Sequence, residues 1–232
     1  MMNILTPMET TALLLSLRVA GVAIALGLPV AVLAAWVLGR YSFPGKTLFD
    51  GLVHLPLVLP PVVTGYILLV TMGTKGVVGG WLYQAFGIKL IFTAEGASLA
   101  VAVTSFPLMV RAIRLSVEAI DGGLEAAART LGAGPIDRFF TILLPLMAPG
   151  LLSGAIVAFA AAMGEFGAVI TFVSNIPGKT QTLPLAIYAA TQEPGGDVMA
   201  ARLATISFSV ALLALTMSEF LANRVRRLIG QV

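Results

Sequence analysis

Long runs of apolar residues, each nearly free of charge, dominate this chain. Arg18 is the one charged residue between Thr11 and Leu38, and Glu165 the one between Ala148 and Val173. Runs of 18 or more such residues read as helices that cross a hydrocarbon layer. Charge is also scarce overall: 11% of 232 residues are charged, against about 25% in a soluble domain. A globule of this size could not be covered by so few charges. The expected fold is therefore an all-α integral membrane protein made of one transmembrane domain, residues 1–232. Its five spans are expected at about 11–38, 52–72, 97–117, 148–173 and 201–221, in contact with the lipid bilayer.

Several function classes drop out. The chain has no cysteine and a single histidine, His54, so disulfides, thiolate metal sites and paired-histidine metal sites are excluded. The net charge of +3 comes without a basic stripe interleaved with aromatics, so nucleic acid is not an expected partner. Gly39 to Thr47 falls short of a phosphate-binding loop. That motif needs four residues between its glycines, and here Arg40 to Pro44 supplies five with no strand before them. No paired carboxylates or nucleophile–base set suggests an enzyme, and no cofactor or metal is expected on this chain. The N-terminus lacks the basic segment of a cleaved signal, which favours an uncleaved first span.

Charge placement orients the spans. Arg40, Lys46, Arg111, Arg114, Arg129, Arg138, Arg224, Arg226 and Arg227 fall on one side. Lys75, Lys89, Lys179 and Arg202 fall on the other. The bias places the N-terminus outside and the C-terminus in the cytoplasm. Arg18 and Arg202, near span ends, are expected to snorkel to the interface. Within the spans, Pro56, Pro60, Pro61 and Pro107 are hinge candidates, because each removes a backbone donor and bends or breaks a helix. Gly73 to Glu95 reads as a loop with two apolar patches. Thr182 to Ala190 is too short to cross and should lie at the surface or re-enter.

The longest polar interruption is the connector, Glu118 to Pro145. Glu125 to Leu131 is built from good helix formers, Gly132 is a natural C-cap, and Gly134-Pro135 breaks the chain before a second short helix. The residues Glu125-Ala126-Ala127, then Gly132-Ala133, then Ile142, Leu144 and Pro145 resemble the EAA loop (EAA-x3-G-x9-I-x-LP) of importer-type ABC permeases. The resemblance covers about Ser16 to Glu219. It takes in HLPLVLPPVVTG (54–65), SFPLMVRAIRL (105–115), ARTLGAG (128–134) and GEFGAVITFVSNIP (164–177). It is nearest to permeases of bacterial molybdate importers. Sulfate permeases share the EAA loop and GEFG, whereas the SNIPGKTQTLP run favours molybdate.

The resemblance implies a type I importer permease, paired with a second copy of itself around a central path. A separate ATPase subunit would bind and hydrolyse ATP, and an extracytoplasmic molybdate-binding protein would deliver the anion. It also implies that Glu125, Ala126, Ala127, Gly132 and Ala133 couple to the ATPase. Gly164, Glu165, Phe166 and Gly167 are the gate or pathway candidates. A carboxylate at the centre of a span costs about 2.5–3.5 kcal/mol on insertion scales, so Glu165 should face protein or water. It would repel an oxyanion, which leaves a gate-supporting role or a purely structural one. Tungstate or sulfate transport and an ion-coupled secondary transporter are the alternative functions.

Overall fold

The computed structural model describes residues 5–228, with side chains through Met217 and at Phe220. Arg224, Arg226 and Arg227, used above to orient the chain, have side chains outside that set. Twelve α-helices and one π turn make up the described residues, and no strand occurs among them. Three helices are long and apolar enough to cross a membrane: α1 (Pro7–Arg40), α5 (Ala94–Ala119) and the first part of α12 (Asp197–Leu228). They contain the first, third and fifth expected spans.

The other two expected spans are not single helices. Residues 52–72 divide between α2 (Lys46–Val58) and α3 (Pro61–Met72), which meet at 111°. The bend has a local cause. Pro60 and Pro61 lack the N–H groups that would continue the α2 ladder, and Pro61 instead starts α3, where a missing donor costs nothing. Pro56 lies inside α2 and Pro107 is buried in α5, which runs on without a break. Residues 148–173 divide between α9 (Ala148–Met163) and α10 (Gly167–Val173).

Two further stretches differ from expectation. The loop between Gly73 and Glu95 contains a helix, α4 (Val77–Phe86), whose glycines Gly79 and Gly80 are buried. The apolar piece after Thr182 forms α11 (Leu183–Gln192), which buries Leu183, Leu185 and Ala186. Its first N–H donates to Ser16 Oγ at 2.7 Å, so its start packs beside α1 more than two turns in from that helix's N-terminus.

Helix α5 is the central post. Helices α1 and α9 pack along it through small residues, as in many membrane bundles where backbones approach closely. A methyl group added at Gly27 of α1 would lie 2.8 Å from Met109 Cε. On α9, Gly150, Gly154, Ala158 and Ala162 form a buried stripe. Gly150 faces Ser116 and Ala112 of α5, and Gly154 faces Ala112 and Met109. Two apolar cores result. One, at the N-terminal end, joins α1, α5, α10 and α11 around Phe172 and Leu183. The other, at the connector end, joins α1, α5 and α9 around Leu38, Met109 and Met147.

Ion pairs tie the ends. Glu9 completes a capping box with Thr6 at the start of α1 and receives a two-pronged contact from Arg202 of α12, at 2.8 and 3.1 Å. Arg18 pairs with Glu95 at 2.9 Å. Both arginines thus meet carboxylates, where snorkelling, or attraction of an anion at the outer mouth, was the sequence reading. At the other end Arg114 Nη1 donates to both oxygens of Asp50, 3.1 Å each, and its Nε to Glu118 at 2.7 Å. His54 Nδ1 lies 2.9 Å from the Asp50 carbonyl oxygen. This cluster fastens α2 to α5.

Candidate functional site: a paired helix break and a polar connector

Two breaks in the helical ladder meet where α3 packs against α10. Helix α9 closes with short turns, Gly164 N–H to Ala161 at 3.1 Å and Glu165 N–H to Ala162 at 3.2 Å. Phe166 then adopts a non-helical backbone and α10 begins at Gly167. The Glu165 carboxylate accepts the Ala168 N–H at 3.0 Å, so it caps the start of α10, where donors lack helical partners. Phe166 tilts against Tyr188 of α11, ring centres 5.2 Å apart.

The second break is Pro60-Pro61. A methyl group added at Gly167 would lie 2.8 Å from Pro61 Cβ. One added at Gly65, a turn further along α3, would lie 2.7 Å from the Ala168 carbonyl oxygen. Glycines on both sides therefore bring α3 and α10 into backbone contact, each just past its own break. Thr64, at the same level, is buried with no hydrogen-bond partner for its hydroxyl among the described residues. Gly164, Glu165, Phe166, Gly167, Pro60 and Pro61 are thus brought together. Pro56 and Pro107 are not placed at this junction. Sequence reasoning passed over Gly65. Its position four residues into a helix that opens on Pro61 was the available signal.

The connector folds as local rules dictate. Asp121 accepts the Gly123 N–H at 2.9 Å and caps α6 (Gly122–Thr130). Gly132 takes the left-handed conformation with φ +87°. Its N–H bonds Arg129 at 3.1 Å, and that of Ala133 bonds Ala128 at 3.0 Å. This is the two-bond termination that glycine favours. Then follow α7 (Pro135–Arg138), a π turn over Phe139–Leu143, and α8 (Leu144–Leu146), which leads into α9. Helix α6 buries none of its residues. Leu124 and Leu131 are exposed, as are Ala126 and Ala127.

Glu125 departs from its neighbours. Its carboxylate turns toward the bundle and meets Arg40, the last residue of α1, at 3.1 Å. The loop pattern puts its glutamate six residues before the glycine, which here is Ala126. Glu125 stands one residue earlier, about 100° around the helix.

Residues 27–227 match the family described as binding-protein-dependent transport system inner membrane component. The chain belongs to that family. As a family member it is 56% identical to the molybdenum transport system permease protein ModB of Escherichia coli (strain K12), over 98% of this chain and 100% of that one. It is 38% identical to the sulfate transport system permease protein CysT of the same organism, over 86% and 72% of the two chains. The fold is similar to a chain of a bacterial alginate ABC transporter solved with its pentasaccharide-bound periplasmic protein. That pair has a TM-score of 0.76 at 15% identity, with 95% of this chain and 80% of that one covered.

Proposed function

We propose that this chain is the membrane-spanning subunit of an ATP-driven importer for molybdate. The observation that carries the reading is the 56% identity to a molybdenum transport permease, which extends over nearly the whole of both chains. The lower identity to a sulfate permease makes sulfate the second choice. Five passages are counted by taking α2 with α3 as one interrupted span, and Pro135–Leu146 with α9, bent by 64°, as another. The N-terminus then faces outward, and the connector and C-terminus face the cytoplasm. Two copies pair around the path, a binding protein delivers the oxyanion from outside, and ATP is hydrolysed on a separate subunit.

The exposed face of α6 and its cap, with Ala126, Ala127, Gly132 and Ala133 between Leu124 and Leu131, is the surface offered to the ATPase. Small side chains let the partner approach closely, and the leucines give it apolar area to bury. The junction of α3 and α10 is the gate. Glu165 supports it by capping α10 and does not bind the anion, which its charge would repel. Gly164 and Gly167 allow the break, and Phe166 closes the junction against Tyr188. The Pro60-Pro61 bend lets α3 tilt with little cost to α2. ATP binding biases an alternating-access equilibrium between two such arrangements.

The test is uptake of labelled molybdate into proteoliposomes holding this chain and its ATPase subunit, with the binding protein outside. Uptake that needs ATP and all three proteins, and that resists excess sulfate, is the expected result. Movement of the anion by this chain alone down an ion gradient would overturn the reading. Competition by tungstate but not sulfate would place the selectivity with the larger oxyanions.

A further inference from the structure

We infer that Arg40 is a positioning residue that fastens the connector to the ends of α1 and α5, so that displacement of α6 moves both helices together. This rests on the importer reading above. Three elements converge on one guanidinium. Arg40 is the last residue of α1. Its Nη2 lies 3.1 Å from Glu125 Oε1 in α6 and donates to the carbonyl oxygen of Ile120, the residue that ends α5, also at 3.1 Å. The two charged side chains keep only 19% and 24% of their exposure. That screens the pair from bulk water and strengthens it relative to a surface ion pair.

The surroundings hold Arg40 in place. Gly39 backs onto Val117 of α5, where an added methyl would lie 2.7 Å from Cγ1. Trp36 packs edge-on against Phe139 at the start of the π turn, with centroids 5.4 Å apart. Arg40 Nε is buried without an acceptor among the described residues, a cost that the two Nη2 contacts must offset. Helix α6, by contrast, buries nothing of its own. Its polar tether to Arg40 is therefore a principal side-chain contact with the bundle, beside the covalent routes through Ile120-Asp121 into α5 and through α7 into α9. A push on α6 reaches α5 and α9 along the chain, and reaches α1 through Arg40, which also ties the end of α1 to the end of α5 at the Ile120 carbonyl.

A consequence follows for Glu125. A carboxylate held by Arg40 faces away from an ATPase seated on Leu124 and Leu131. Neutralising Arg40 should then have the same effect as neutralising Glu125, and neither should detach the ATPase. The chain has no cysteine of its own, so the link can also be remade covalently.

The experiment compares native chain, Arg40→Gln, Glu125→Gln and the double variant Arg40→Cys/Glu125→Cys. Each is reconstituted with cysteine-free ATPase subunit and molybdate-loaded binding protein. Readouts are ATPase co-purification, the stimulation of ATP hydrolysis by loaded binding protein, and molybdate taken up per ATP. Both glutamine variants are expected to retain the ATPase subunit and to lose stimulation about fivefold or more, the lower end of what an allosteric link carries. Uptake by the cysteine pair should be low and should recover when a short bifunctional thiol reagent bridges it. Three results would overturn the inference: native stimulation in Arg40→Gln, loss of the ATPase subunit in Glu125→Gln alone, or a bridged pair that stays inactive. Failure of the native chain to take up molybdate would instead refute the importer reading.

Discussion

Replacement of Gly65 by valine tests the junction between the two broken helices. An added Cβ at Gly65 would lie 2.7 Å from the carbonyl oxygen of Ala168, 2.9 Å from its Cα and 2.9 Å from Thr171 Cβ. Carbon atoms in contact sit about 3.5–4.0 Å apart, so α3 and α10 must separate by roughly 0.6–1 Å. Two of the three atoms are backbone and the third is a Cβ, so no rotamer change relieves the overlap. Overpacking of this kind costs about 1–3 kcal/mol, and valine adds two methyl groups beyond the Cβ. The gain in helix propensity from removing a glycine is less than about 1 kcal/mol. A net loss of about 2 kcal/mol is expected, roughly 30-fold in an equilibrium. At 2–4 °C per kcal/mol for a chain of this size, the apparent Tm in detergent should fall by roughly 4–8 °C. If the junction of α3 and α10 is the gate as proposed, molybdate uptake in proteoliposomes should fall with it. Gly21→Val in α1 is the control, since nothing lies within 4 Å of the corresponding position. Equal losses at Gly21 and Gly65, or native behaviour of Gly65→Val, would refute the argument from close contact.

Other expectations are independent of that one. Glu9 is held below the usual carboxylate range chiefly by its hydrogen bond from Arg202, and next by the Thr6 N–H. Because the folded form favours the charged state, this stability is complete above the unfolded value near 4.5 and is lost as pH falls through the lower folded value. Thermal stability in detergent should therefore drop on acidification below about pH 4.5, and Arg202→Gln should both lower it at neutral pH and flatten that dependence. At Glu165, alanine removes the cap of α10 and should cost about 1 kcal/mol, whereas glutamine keeps an acceptor oxygen and should retain most stability and uptake. Equal losses in both would show that the charge, not the cap, is what matters. At Gly132, alanine must take a left-handed backbone at a cost of about 1–2 kcal/mol. Gly132→Asn should be milder in ATPase subunit co-purification.

Local features of this protein were legible in its sequence, and distant pairings were not. Helix α6, its Gly132 cap and the break at Gly134-Pro135 follow from propensity and turn chemistry within a few residues. The position of the bend in residues 52–72 could be read from Pro60-Pro61, but its 111° angle could not, since α5 fixes α2 through Arg114 and Asp50. The helix at 77–86 was hidden by Gly79 and Gly80, which depress helix propensity; close packing on Met72 at the end of α3 accounts for Gly79. Arg18, Arg202 and Glu125 each looked self-sufficient in the sequence. Their partners lie 77, 193 and 85 positions away, and no local pattern announces such a pair. At the break between α9 and α10, the alternation of glycine with Glu165 and Phe166 marked the place where the helix is interrupted. That Gly65 stands opposite depends on how two separate helices cross.

The small-residue seam between α5 and α9 has a genetic consequence. No residue is smaller than glycine, so every amino-acid change at Gly150 adds atoms to a contact with no room for them, and at Gly154 Ala112 and Met109 must give by a few tenths of an ångström. At Gly150 the added carbon would meet Ser116 Cβ at 2.6 Å and the Ala112 carbonyl oxygen at 2.9 Å. The seam can drift only in pairs, with space released on α5 before or as it is taken up on α9. A selection for regained molybdate-dependent growth in a Gly150→Ala strain should return Ser116→Gly. The same Ser116→Gly change, made alone, should leave a gap where Gly150 now packs. The order in which these two mutations can arise is therefore fixed by which intermediate the bundle tolerates.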